Sequence, residues 1–174
     1  MFKELNILRF FFELPNKNFN VREIARLAKI TPATSSRQLK ILHNKGLLTY
    51  RKERILDFYR ANTASDEYRD LKSYYNIRKL KESGLINALN KHYIKPAIIL
   101  YGSASKGLDT EQSDFDMVVV SEKTTITPGL KGYERKLNRR IHIFAVRDIK
   151  DLKNPHLINN VLNGIIIQGE IKWN

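Results

Sequence analysis

The segment from Ala97 to Val120 constrains the fold of this chain more than any other. It contains two short apolar runs with the length and composition of buried strands. Between them, Gly102-Ser103 directly follows the first run, and Asp114-x-Asp116 leads into the second. Glycine lets the backbone turn sharply and come close to a ligand, and serine adds a hydroxyl donor. The segment therefore predicts a strand, a tight turn, a polar loop and a second strand.

The two acidic residues of this segment have a spacing suited to a bound cation. Asp114 and Asp116 are two residues apart, so on a strand both carboxylates point to the same face. Adjacent carboxylates repel each other unless a cation lies between them, and such oxygen ligands suit Mg²⁺, usually shared with substrate phosphates. We therefore expect Mg²⁺ or Mn²⁺ at this pair. The alternative is an acidic loop that merely faces water.

This combination of residues resembles the signature of the DNA polymerase β-like nucleotidyltransferases, and of their small, minimal members in particular. The resemblance extends from about Lys95 to the C-terminus, and Lys106 stands where many members carry arginine. It implies that Asp114 and Asp116 hold metal ions that bridge the phosphates of a nucleoside triphosphate. The residues that it implies for nucleotide binding are Gly102, Ser103, Lys106, Gly107 and Ser113.

One position departs from the family pattern. Members of the family carry a third carboxylate on the next strand, after a pair of basic residues, and His142 stands at the matching place here. Imidazole is a poor ligand for Mg²⁺ but an acceptable one for Mn²⁺ or Zn²⁺, and it could also act as a general base. The implied catalytic residues are thus Asp114, Asp116 and His142. Alternatively, the domain has lost turnover and only binds a nucleotide or a partner.

The first third of the chain has the pattern of three helices followed by a β-hairpin. Apolar periodicity and turn residues predict helices at residues 2–14, 21–28 and 32–44. Asn20 and Thr31 are placed as the N-caps of the second and third helices. Two predicted strands, 47–50 and 55–59, flank a charged turn at 51–54.

This order of elements resembles a winged helix-turn-helix domain of the kind found in bacterial and archaeal transcription regulators, and we expect the archaeal type. The resemblance implies that the third helix enters the major groove of double-stranded DNA and that the wing touches the phosphate backbone. The residues expected to contact DNA are Thr34, Ser35, Arg37, Gln38, Lys40, Arg51, Lys52 and Arg54. The alternative is a winged helix used only for protein contacts or dimerisation.

The net charge and the composition restrict the kinds of partner that we expect for this protein. The formal net charge is +13, and residues 1–62 hold 13 Lys and Arg against 5 Asp and Glu. A basic excess concentrated in one third of the chain favours a polyanionic partner, most simply nucleic acid. The absence of cysteine excludes disulfides and thiolate metal sites. The apolar stretch near the N-terminus is too short for a membrane span and lacks a cleavage site, so we expect a cytoplasmic protein with no membrane partner.

The predicted fold is α/β (α+β): a winged helix domain over residues 1–62, a helical connector over 63–95, and a nucleotidyltransferase domain with a small mixed sheet over 96–174. The expected function is metal-dependent transfer of an NMP from an NTP to a hydroxyl acceptor, with DNA binding by the winged helix. Small nucleotidyltransferases also serve as antitoxins that modify a toxin's tyrosine, so the acceptor could be a protein. The alternative is a DNA-binding transcriptional regulator or antitoxin-like protein with a degenerate transferase domain. The connector could also mediate a homodimer.

Overall fold

A computed structural model describes residues 5–125 and 129–171 of the chain. These residues form a mixed α and β architecture with two small sheets, which confirms the predicted fold class. The chain divides into two compact units, Met1–Lys72 and Ser73–Asn174, and the division lies within one helix, α4 (Asp66–Glu82). The finer domain bounds expected at residues 62 and 95 stay predictions.

From residue 5 onward, the first unit contains three complete helices and a three-stranded antiparallel sheet. Its elements are α1 (Leu5–Glu13), β1 (Phe19–Asn20), α2 (Val21–Ala28), α3 (Pro32–Asn44), β2 (Leu48–Glu53) and β3 (Leu56–Ala61). The strand order is β1-β3-β2, so β2 and β3 form the predicted hairpin and β1 adds a short edge. The start of α4 completes this unit.

The two expected helix caps are confirmed. The Asn20 side chain accepts a hydrogen bond from the Glu23 backbone N–H at 2.9 Å, and the Thr31 hydroxyl accepts one from the Thr34 N–H at 3.2 Å. Pro32 follows as the first residue of α3, where its missing N–H removes no helical hydrogen bond. These local interactions begin both helices of the helix-turn-helix segment.

Aromatic side chains dominate the core of the first unit. Phe11 packs edge-on against Phe19, with ring centroids 5.1 Å apart, and both residues are almost fully buried. The Tyr68 hydroxyl donates to the Phe11 carbonyl at 2.9 Å, so the start of α4 is tied to α1. Burying such aromatic side chains stabilises a small unit strongly, because each one removes a large apolar surface from water.

The second unit is built around a four-stranded mixed sheet. Its elements after α4 are α5 (Leu85–Tyr93), β4 (Ala97–Tyr101), α6 (Gly102–Ser105), β5 (Phe115–Val120), α7 (Leu130–Leu137), β6 (Ile141–Val146), a 3₁₀ helix (Ile149–Leu152), α8 (Pro155–Leu162) and β7 (Ile165–Gln168). The strand order is β6-β5-β4-β7. β5 and β6 run parallel, and the other two pairs are antiparallel.

The two faces of this sheet have different cores. On one face, side chains such as Leu100 and Met117 pack with Leu80 of α4 and Leu89 of α5. On the other face, Ile99, Tyr101 and Val118 pack with Ile149 and Val161 of the C-terminal helices. The later part of α4 and all of α5 therefore contribute to the core of the second unit.

None of the helices in the described part of the chain has the length and apolarity that a membrane crossing requires.

Candidate functional site

The tight turn predicted after β4 lies at Gly102, the first residue of α6. Gly102 has φ of +74°, a conformation that side-chain-bearing residues rarely adopt. A Cβ atom at this position would lie 3.0 Å from Asp116 Oδ2. Glycine therefore serves two purposes here, because it allows the backbone conformation and lets the turn approach the carboxylate.

The three residues implied for catalysis lie together at one end of the sheet. Asp116 is the second residue of β5 and Asp114 directly precedes that strand, while His142 pairs with Asp116 across the parallel β5–β6 register. The His142 Nδ1 atom is 3.4 Å from Asp116 Oδ1, and its Nε2 atom is 3.7 Å from Asp114 Oδ2. Tyr101 of β4 pairs with Asp116 on its other side. The imidazole thus lies within reach of both carboxylates.

The electrostatics of this cluster are dominated by partial burial of negative charge. Burial raises the pKa of Asp116 above its ordinary value, and the neighbouring Asp114 charge raises it further, whereas His142 lowers it. Burial and the Asp116 charge raise the pKa of Tyr101 to about 12. The site therefore holds a carboxylate that is poorly compensated by protein groups, and a bound cation would stabilise its charged form.

The donor set fits a metal that is shared with a substrate better than one enclosed by protein. Mg²⁺ typically takes one or two protein carboxylates together with phosphate oxygens and water, and Asp114 and Asp116 provide that pair. His142 offers a nitrogen, which suits Mn²⁺ or Zn²⁺ better than Mg²⁺. Over residues 5–125 and 129–171, no group of three or more His, Cys, Asp or Glu side chains is arranged to hold a metal by itself.

The other residues implied for nucleotide binding lie along the loop from α6 to β5. The Ser103 carbonyl accepts hydrogen bonds from the N–H groups of Lys106 and Leu108, at 3.2 and 3.0 Å, which closes the loop tightly after α6. Gly107 has φ of +63° at the centre of this turn, and the Lys106 side chain is exposed. The Ser113 hydroxyl accepts from the Thr110 N–H at 2.9 Å. Gly107 and Ser113 thus have a clear part in shaping the loop.

A buried ion pair that sequence reasoning missed holds this loop in place. Arg139 Nη1 lies 2.5 Å from Asp109 Oδ2, and the two side chains are only 4% and 0% exposed. Asn76 Nδ2 donates to Asp109 Oδ1 at 2.8 Å and to the Ala104 carbonyl at 3.0 Å. The Arg139 guanidinium also lies over the Phe115 ring, 5.0 Å from its centroid. Neither a motif nor an apolar period distinguishes these positions, so no sequence signal identified them.

Most of the residues of α3 that are predicted to contact DNA lie at the surface, and one does not. Arg37 and Lys40 are exposed, and Thr34 and Gln38 are partly exposed. The prediction for Ser35 is wrong: this residue is fully buried, and its hydroxyl donates to the Val21 carbonyl at 3.0 Å. Ser35 precedes the buried Leu39 by four residues, so it lies on the inward face of the helix.

The wing is the hairpin of β2 and β3. Its strands are longer than predicted, and the turn between them is shorter. Arg51 and Lys52 lie within β2, and the turn consists of Arg54, with φ of +53°, and Ile55. The three basic side chains are exposed, as a contact with DNA requires, although Arg51 forms an ion pair with Glu53 at 2.7 Å.

Comparison with protein families identifies both parts of the chain. Residues 82–167 match the model of a nucleotidyltransferase domain, and residues 4–50 match that of the bacterial regulatory proteins of the arsR family. No curated protein matches the chain. The nucleotidyltransferase match includes the Gly102 turn, both carboxylates and His142, and the arsR match includes the capped helices α2 and α3. The chain therefore carries a nucleotidyltransferase domain joined to an N-terminal helix-turn-helix domain of the arsR family.

Proposed function

We propose that this protein transfers a nucleoside monophosphate from a nucleoside triphosphate to a hydroxyl group with the help of a divalent metal ion, and that its N-terminal domain binds double-stranded DNA. The observation that carries the first part is the convergence of Gly102, Asp114, Asp116 and His142 at one end of the sheet. The family match of residues 82–167 supports the same reaction class.

Each residue would contribute by its position. The amide groups and hydroxyl at Gly102 and Ser103 would donate to phosphate oxygens, and the exposed Lys106 would add a positive charge. Asp114 and Asp116 would hold the metal ion, which when bound neutralises phosphate charge and favours ionisation of the attacking hydroxyl. His142 would accept the proton of that hydroxyl, since its ring lies beside both carboxylates.

Nucleotide binding is the direct test. Calorimetric titration of ATP, GTP, CTP and UTP, each with Mg²⁺ and with Mn²⁺, should show metal-dependent binding by the wild type. Asp114→Asn and Asp116→Asn should lose that binding but remain folded, with a cooperative thermal transition no lower than that of the wild type. Glu111→Gln is the matched control, because Glu111 is an exposed acidic residue of the same loop. Equal binding by wild type and the double Asp variant would refute the placement of the site.

A second function rests on the histidine. Its ring lies 3.4 Å from one carboxylate and 3.7 Å from the other, at the position where the family carries a third carboxylate. On this proposal the protein is a DNA-binding regulator or antitoxin-like protein, and its transferase domain binds a nucleotide or a partner without turnover. Measurement of pyrophosphate release with a hydroxyl acceptor present discriminates between the two: nucleotide binding without release, for all four nucleotides and both metals, favours the regulator.

DNA binding is supported by the charge of the first unit and by its family match. Arg37 and Lys40 on α3, together with Arg51, Lys52 and Arg54 on the wing, present exposed cations on the two elements that such domains use for DNA. A toxin-like protein acceptor and a homodimer stay predictions.

A further inference from the structure

A shallow basic cavity of about 510 Å³ lies in the second unit, between α7 and the segment that precedes β6. The residues that line it are Lys131, Glu134, Arg135, Asn138, Arg139 and Arg140. None of them was among the residues expected to bind a nucleotide, a metal or DNA. The function proposed above therefore assigns no ligand to this cavity.

The local contacts determine which of these charges face a ligand. Arg139 is buried in its ion pair with Asp109, and Glu134 Oε1 accepts from the Ile141 N–H at 3.0 Å. The remaining cations, Lys131, Arg135 and Arg140, are exposed. The cavity thus presents three positive charges, while the one carboxylate in its lining is engaged with the backbone.

The cavity adjoins the carboxylate cluster. The Arg140 carbonyl accepts a hydrogen bond from the Phe115 N–H at 2.9 Å, and Phe115 lies between Asp114 and Asp116 in the chain. Arg140 also precedes His142 by two residues. A ligand in the cavity would lie next to the end of the sheet that holds the candidate active site.

We propose that this cavity binds the phosphate backbone of a single-stranded nucleic acid, as a second nucleic-acid site separate from the helix-turn-helix domain. Guanidinium groups match phosphate oxygens in a two-pronged geometry, and three separated cations match a chain that carries one negative charge per nucleotide. A positively charged groove that follows the backbone is how proteins bind single strands without sequence preference. The binding does not require turnover, so the proposal stands independently of catalysis.

The test uses the full chain and fluorescently labelled 12-nucleotide single strands of mixed sequence, one of RNA and one of DNA. The cavity variant carries Lys131→Gln, Arg135→Gln and Arg140→Gln. The plot of log K against log salt has a negative slope. Loss of three phosphate contacts on a single strand should make this slope shallower by about 2 in the variant. We expect a loss of at least tenfold in single-strand affinity at moderate salt, with a duplex bound as tightly as by the wild type.

The matched control carries Lys81→Gln, Lys91→Gln and Lys153→Gln, which remove the same charge from exposed positions of the same unit. Equal losses in the two triple variants would show general electrostatic attraction and overturn the proposal, as would unchanged affinity in the cavity variant. Circular dichroism establishes that both variants fold.

Competition distinguishes the alternative ligands. Displacement of the strand by polyglutamate at equal charge concentration would identify an acidic protein ligand, and full displacement by inorganic phosphate at low millimolar concentration would identify a small-anion site. Either result would overturn the proposal.

The cavity variant should still bind a nucleoside triphosphate with Mg²⁺ or Mn²⁺. A joint loss of strand binding and nucleotide binding would assign the cavity to the triphosphate instead. Absence of pyrophosphate release, measured with nucleotide, metal and a hydroxyl acceptor present, would refute the transferase function and leave the strand-binding result unaffected.

Discussion

Removal of the Asp109 carboxylate should destabilise the second unit severely. Asp109→Ala leaves the Arg139 guanidinium, which is only 4% exposed, without its counterion, and it removes an acceptor of the Asn76 amide. Breaking a buried ion pair from one side costs about 3–5 kcal/mol, because the remaining charge is neither paired nor hydrated. A typical domain has about 5–15 kcal/mol of total stability, so this change would remove a large part of it.

The control is a surface ion pair on the same unit. Arg78 and Glu82 are 2.7 Å apart on α4, but their side chains are 39% and 62% exposed, so water screens the attraction between the two charges. Glu82→Ala should therefore cost only about 0–1 kcal/mol. The assay is urea denaturation followed by far-ultraviolet circular dichroism, with the transition of the second unit fitted separately from that of the first.

A double variant tests whether the unpaired buried charge is the cause of this loss of stability. Asp109→Leu with Arg139→Met removes both charges together, so neither is left buried without the other, and it should recover much of the stability that Asp109→Ala loses. Because the ion pair holds the loop between α6 and β5, Asp109→Ala should also weaken nucleotide binding. The reasoning would be refuted if Asp109→Ala cost no more than Glu82→Ala, or if the double variant were less stable than the single one.

Three further predictions concern the charged surfaces. Burial raises the pKa of Asp116, so the folded state holds the proton more tightly than the unfolded chain does, and the free energy of unfolding should fall as pH rises from the ordinary carboxyl pKa through the raised one. Asp116→Asn should therefore be stabilising at pH 7 and neutral near pH 3, and thermal unfolding at the two pH values tests this. His142→Asp should strengthen Mg²⁺-dependent nucleotide binding and lower stability without metal, since three carboxylates then crowd one site; calorimetry would contradict this if Mg²⁺ affinity did not rise. Arg37→Ala and Arg51→Ala should each weaken duplex DNA binding and make the negative slope of log K against log salt shallower by about 1, whereas Lys91→Ala should change neither. If a salt titration showed no effect of either arginine substitution, the winged helix would not be the part that binds DNA.

Features that depend on neighbouring residues could be predicted from the sequence. The caps at Asn20 and Thr31 form within three residues of the side chain that makes them, so their residue types are sufficient evidence. The Gly102 turn and the apolar strand at 117–120 were predicted for the same reason, because backbone freedom and apolar runs are local properties; the observed strand begins two residues earlier, at Phe115. The resemblance of the polar residues between them then indicated the reaction class.

Features that depend on distant residues were decided by the tertiary structure. The parallel register of β5 and β6 places His142 beside both carboxylates, although 26 residues separate it from Asp116 in the chain. The Asp109–Arg139 pair joins positions 30 residues apart, and its strength comes from burial that only the packed fold provides. Ser35 was misplaced on the DNA surface because a polar side chain can be buried when a backbone carbonyl, here that of Val21, accepts its hydrogen bond. Local chemistry thus determined which elements form, and long-range packing determined which polar groups meet and which are withdrawn from water.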